Sequence, residues 1–423
     1  MISTLKNAWK IPDLRKKLLF TFFMLVIFRI GSAVPVPGVD VSYIKRMFQE
    51  QAGILSFYDI VAGGAFSNFT LFALSVTPYI TSSIILQLLT VAIPALEDMS
   101  KSGEEGRKKI TQYTRYGTVV LGLMQSTALS IGFFRGAMIH RDPFSIAVVI
   151  LTLTAGTAFL MWMGEKITEK GIGNGMSIII FAGIVSRVPS AVGHSYQLLK
   201  QGELNIIQLA IFALIAVAII VSVILITQGA RKIPVQYAKR VVGRKTYGGQ
   251  STHIPLKVNQ AGVIPVIFAV SLLAFPQTLT LFFQGDFATF VGKWFNPNGN
   301  PGVYVYTALE ALLVVFFTYF YVTITFNPEE VSKNMQNSGG FIPGIRPGKP
   351  TQEYLEKVLN RLTLLGAIFL AIIAALPTVL FHVSNIPFRF GGTSLLIVVG
   401  VALETMKQIE AQMLMRHYQG FLK

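Results

Sequence analysis

Apolar stretches about one bilayer long recur from end to end of this 423-residue chain. A run of roughly 20 apolar residues spans a hydrocarbon core of about 30 Å as a helix. Lipid offers no partner to a backbone amide, so such runs must be helical. The pattern predicts ten spans: Leu18–Val36, Phe69–Ala95, Gly117–Phe134, Ile146–Met163, Met176–Ser195, Ile206–Ile226, Val263–Phe283, Val303–Phe326, Leu362–Phe381 and Gly392–Met413. Arg187 interrupts the fifth and Glu404 makes the tenth polar, so hydropathy alone allows eight to ten. The basic start, Met1–Lys17, is followed by no small-residue cleavage site, and Leu18–Val36 reads as a retained span.

Charge decides the orientation. Cytoplasmic loops carry excess Lys and Arg. With ten spans and the N-terminus inside, the inner segments hold about 27 of the 36 basic residues and the outer loops about 8. Both termini are then cytoplasmic. Two inner loops exceed simple connectors: Thr227–Gly262, with seven basic residues and no acid, and Asn327–Arg361, stiffened by prolines between Phe341 and Pro350. A basic loop is a topology signal that also sees anionic membrane lipid; it equally suits docking of an acidic partner, RNA included. On the outer side, Phe57–Asn68 is moderately apolar, too short to span, and carries the Gly63-Gly64 pair. A re-entrant or interfacial piece of this kind points to an outer cavity.

Internal symmetry shows in two strings. Pro78 in the second span and Pro265 in the seventh each precede an Ile by two residues, Ile80 and Ile267. Both prolines are expected inside their helices. Five spans apart, they run in opposite directions, as in an inverted repeat whose halves, 1–200 and 201–423, meet near Lys200–Asn205 and place a pathway between them.

Composition narrows the chemistry. The chain is 52% hydrophobic and 13% charged, and it has no cysteine. Thiol catalysis, disulfides and Cys-ligated metals are thereby excluded. The five histidines are scattered, without metal spacing, and no cofactor is expected. Gly171–Gly175 reads as a tight turn between the fourth and fifth spans. Gly344–Lys349 resembles a phosphate loop only faintly, with Pro350 where Ser or Thr is needed. Within spans only Arg29 and Glu310 are clearly charged, both toward outer ends where snorkelling or local pairing accounts for them. An ion-coupled transporter would show midplane acids, and an intramembrane enzyme a Ser/His pair, paired aspartates or a metal set. The linings around Val76, Ile80, Ile180 and Ile267 are apolar instead, which suits a constriction that closes by dewetting.

Seven strings then carry a resemblance: Phe28–Ser32; Thr77–Ile80 with Gln87–Leu89; Gln112–Gly117; Gly171–Gly175; Gln250–Lys257; Phe341–Gly348; Gly391–Ile397. In order and at these membrane positions, the chain resembles the SecY/Sec61 alpha family of protein-conducting channel subunits. The resemblance implies an all-α polytopic fold, ten helices in two inverted pseudo-symmetric five-helix halves, with a re-entrant plug helix. It implies a non-enzymatic pore that passes unfolded secretory polypeptides across the bacterial plasma membrane and releases membrane segments sideways into lipid. By motif, the pore ring falls on Val76, Ile80, Met176, Ile180, Ile267 and Ile397; Val76 and Met176 depart from a mostly isoleucine ring but stay apolar. The plug falls on Phe57, Ile60, Val61, Gly63, Gly64, Phe66 and Asn68. The lateral gate, which would take a signal peptide, falls on Pro78, Gln87, Pro265 and Ile267. Docking of the ribosome and of the SecA motor ATPase falls on Arg240, Arg244, Lys245, Arg346 and Lys349. SecE and SecG are the implied companion subunits, and SecA the implied source of ATP hydrolysis.

Overall fold

The computed structural model describes residues 6, 8–50, 63–202, 205–237, 240–242, 245–247, 251–280, 285–295, 301–384 and 392–420. It is mostly helical. The chain begins with α1 (Pro12–Gly31), α2 (Val41–Glu50), α3 (Thr77–Ala92), α4 (Pro94–Lys101), α5 (Glu104–Thr127), α6 (Pro143–Lys170), α7 (Gly175–Val185), α8 (Val188–Gln201) and α9 (Ile206–Gln228). Strands β1 (Ala230–Tyr237), β2 (Arg240–Val242), β3 (Lys245–Tyr247) and β4 (Ser251–Lys257) follow. The rest comprises α10 (Ile264–Leu279), α11 (Asp286–Trp294), α12 (Gly302–Thr325), α13 (Pro328–Asn337), β5 (Gly340–Phe341), α14 (Lys349–Ser384) and α15 (Gly392–Gly420).

Each of the ten expected spans overlaps a helix among the described residues. Among the described residues, five stretches have the length and apolarity to cross a bilayer alone, and a sixth does if the bent pair α3–α4 is one span. Several boundaries differ from the hydropathy reading for local reasons. The second span does not begin at Phe69: residues 63–76 form consecutive turns and a bridge, and helix starts at Thr77. Pro78 therefore opens α3 rather than interrupting it, and Pro265 likewise lies in the first turn of α10. Proline is pre-organised for a first turn, where its missing N–H costs nothing. At the other end Ile93, extended before Pro94, turns the chain through 102° into α4. The fifth span breaks at Ser186–Arg187 into α7 and α8.

The two long inner loops are not independent segments. β1 pairs antiparallel with β4 from Ala230↔Lys257 to Gln236↔Ser251, and with β5 at Gln236↔Phe341 and Tyr237↔Gly340. One three-stranded sheet thus joins both loops. Its underside is a separate core of Ile233, Val235, Leu256, Met335, Ile342, Leu355 and Val358. Each such side chain stabilises the small domain by about 1.5–3 kcal/mol relative to exposure. The hairpin β2–β3 lies between β1 and β4 in the chain.

A second tie lies at the turn between α6 and α7. Ile172, in this turn, is buried with Ala8, Leu14 and Ile409. Its N–H donates to Thr21 Oγ1 at 3.1 Å, and Asn174 Oδ1 accepts from the N–H groups of Met176 and Ser177 to cap α7. Gly173, at φ +82°, lets this turn pass close to Thr405 of α15. The expected tight turn at Gly171–Gly175 is thus observed, and it links the first, fourth, fifth and tenth spans.

Candidate functional site

The membrane part packs around one continuous apolar cluster. Val76, Ile80, Met176, Ile180 and Ile397 belong to it, and the partly buried Ile267 packs against it. Four elements deliver these six side chains: the entry to α3, α7, α10 and α15. Val76 is placed by Ser75, whose φ of +53° turns the chain sharply just before the helix. Met176 and Ile180 are placed by the Asn174 cap, and Met176 folds over the bare backbone of Gly164. Gly400 lets α15 close on Val263, so Ile397 lies beside the start of α10. No charge lies among the six, so the arrangement can exclude water but cannot bind an ion.

The proposed gate residues lie on two helices that touch. Pro78 and Gln87 are on α3, Pro265 and Ile267 on α10, and α3 packs against α10. Gln87 Nε2 donates to Ser83 Oγ one turn earlier at 3.1 Å.

Of the re-entrant segment, Phe57, Ile60 and Val61 lie outside the described residues, whereas Gly63, Gly64, Phe66 and Asn68 are in turns. These turns are fastened firmly downstream. Val36 N–H donates to the Phe69 carbonyl at 2.9 Å, and Leu71 N–H to the Val34 carbonyl at 3.1 Å. Phe72 is stacked between Phe28 of α1 and Phe159 of α6, with centroids 6.0 and 6.2 Å away. Phe66 and Phe69 both meet Phe134 edge-on.

Arg346 is exposed on the loop before α14, and Lys349 is exposed at the first position of that helix. Thr351 Oγ1 donates to the Arg346 carbonyl and Ser332 Oγ to the Gly348 carbonyl, both at 2.8 Å. Gly344 and Gly348 supply positive φ at the two bends. Arg240 and Lys245 occur on β2 and β3; Arg244 falls outside the described residues.

Sequence reading missed three features. The sheet was one, although the buried Ile233/Val235 and the partly buried Ile254 with buried Leu256 recur with the period of two that marks a half-buried strand. Another was the ion pair between Arg115 and Glu165, 2.8 Å apart, joining α5 to α6. Glu310 was the third: it is 3% exposed inside α12, so snorkelling does not describe it. Arg29, by contrast, has partners, donating to the Gly63 carbonyl and to Ser186 Oγ.

The sequence profile of the SecY family matches residues 70–406. The chain belongs to the SecY family. The protein translocase subunit SecY of Halalkalibacterium halodurans is 50% identical over the whole of both chains, and that of Bacillus subtilis 46%. The Thermotoga maritima protein of the same name is 45% identical over the whole of this chain and 98% of its own. Among solved structures, a protein-conducting channel superposes with TM-score 0.69 at 21% identity, covering 94% of this chain and 92% of the other. Sec61 from a canine ribosome–channel complex superposes at 0.65 with 20% identity and the same coverage. The family fold is thus shared across sequences that differ at four positions in five.

Proposed function

We propose that this SecY-family chain is the pore subunit of a protein translocase in the bacterial plasma membrane, with both termini cytoplasmic. Two five-helix halves, 1–200 and 201–423, enclose the pathway. Val76, Ile80, Met176, Ile180, Ile267 and Ile397 form its constriction. The observation that carries this reading is that one apolar cluster takes in the entry to α3, α7, α10 and α15 at these six positions. Branched and flexible apolar side chains close around a moving polypeptide without holding it, because they offer no directional bond.

The segment Phe57–Asn68 acts as the plug of the outer funnel. Separation of α3 from α10, around Pro78, Gln87, Pro265 and Ile267, opens the lateral path to lipid for a signal peptide or a membrane segment. The sheet domain docks the ribosome or SecA through Arg240, Arg244, Lys245, Arg346 and Lys349, and SecA supplies ATP hydrolysis. SecE and SecG complete the complex. The test is reconstitution into vesicles with SecA and ATP, scoring protease protection of a secretory substrate. Absence of ATP-dependent protection in vesicles that hold the assembled complex overturns the reading.

A further inference from the structure

Arg29 stands near the outer end of α1, where hydropathy reading gave it no task. Its Nη1 donates to the Gly63 carbonyl at 3.3 Å and to Ser186 Oγ at 3.2 Å. Ser186 Oγ in turn donates to the Gly183 carbonyl at 2.7 Å. One nitrogen therefore joins the first span, the start of the 63–76 turns and the break in the fifth span.

The backbone geometry sharpens the point. Gly63, at φ +64°, lies so close to α7 that a Cβ there would come 2.7 Å from Gly183 Cα. Gly64 follows at φ +88°. Downstream, the turns are fixed by backbone bonds to 34–36 and by the Phe28–Phe72–Phe159 stack. At Gly63 the hold differs in kind: two glycines that allow large backbone rotation, and a cation whose bonds break and re-form without repacking a core.

We infer that Arg29 is the latch of the closed channel, a positioning residue that clasps the Gly63 edge of the plug segment to the end of α7 and lets go when that edge moves. The inference rests on the plug reading of this segment. A hydrogen bond to a charged donor is worth more than a neutral one, and Arg29 is exposed enough to lose part of that, so the expected effect is about five- to tenfold on the open fraction.

The test uses the complete complex in planar bilayers and in cells. Arg29→Leu should raise resting ion conductance about five- to tenfold and admit substrates with weakened signal sequences, at normal protein level. Ser186→Ala, which leaves the Gly63 bond in place, should give a smaller rise. Arg29→Lys, whose ammonium has donors for both acceptors, should restore closure, which a purely structural loss would not do. Phe66→Asn separates the two layers of the argument, since it loosens the same segment without touching Arg29. If Phe66→Asn leaks and Arg29→Leu does not, the latch is refuted and the plug stands. If neither leaks, the plug reading itself falls.

Discussion

The constriction predicts a graded leak. Ile180 is 3% exposed and Ile80 6%, whereas Ile267 is only partly buried. Burying an Ile side chain is worth about 1.5–3 kcal/mol, and an Asn amide left without a partner in its place costs about 1–3 kcal/mol more. Where the open state wets the ring, this loss falls on the closed state alone. The two lower bounds together give a shift of about 2.5 kcal/mol, and at 1.4 kcal/mol per tenfold the open fraction rises roughly 60-fold for Ile180→Asn. Ile80→Asn should match it and Ile267→Asn should fall short, because less of that side chain leaves water on closing. Ile180→Val, which removes one methylene at about 0.5–1.5 kcal/mol, should give a roughly two- to tenfold rise. The assay is single-channel conductance of the purified complex at rest, with membrane level checked in parallel. A conductance within twofold of the parent for both Ile180→Asn and Ile80→Asn, at normal level, refutes the sealing role.

Three further outcomes are expected. Arg346→Lys keeps the charge but loses the planar fork, so SecA-driven translocation should drop severalfold while insertion stays normal, with Arg346→Glu worse; full transport by the Lys variant leaves only a charge role. Ile342→Asp puts a carboxylate into the core that both inner loops share, and should cost about 3 kcal/mol or more and unfold the sheet domain, read as protease cleavage between 227 and 262 in inverted vesicles, with the spans intact. Single cysteines at Lys245 and Lys349, placed in a chain that has none, should resist impermeant reagents on intact cells and react once the inner face is opened; outside labelling of either would break the ten-span topology.

The spans were legible because lipid imposes a length and an apolarity that nothing else in a sequence imitates. Their starts were less so. Phe69 to Val76 is as apolar as a helix, yet Gly63, Gly64, Phe69 and Ser75 at positive φ make it a string of turns. That conformation depends on Val34, Phe28 and Phe159, which are distant in the chain, so local hydropathy cannot show it. The candidate pore, gate and docking positions came from family motifs, whereas the bonds around them were not visible in any motif. Arg29 is the clearest case: its partners Gly63 and Ser186 lie 34 and 157 residues away. The sheet hid for a similar reason, with two expected spans lying between β1 and β5 in the chain, even though its alternation could have been read.

That separation also sets an order of assembly. A chain made from its N-terminus can pair β1 with β4 early, because the two strands are neighbours in sequence and close a short loop. The third strand and Met335, Ile342, Leu355 and Val358 of the shared core do not exist until α10 and α12 have been synthesised. During that interval the early hairpin presents Ile233, Val235 and Leu256 with half of their cover missing. On the ten-span reading, the sheet domain is therefore finished only after eight spans have been made, and its completion marks in time how far the channel itself has been built.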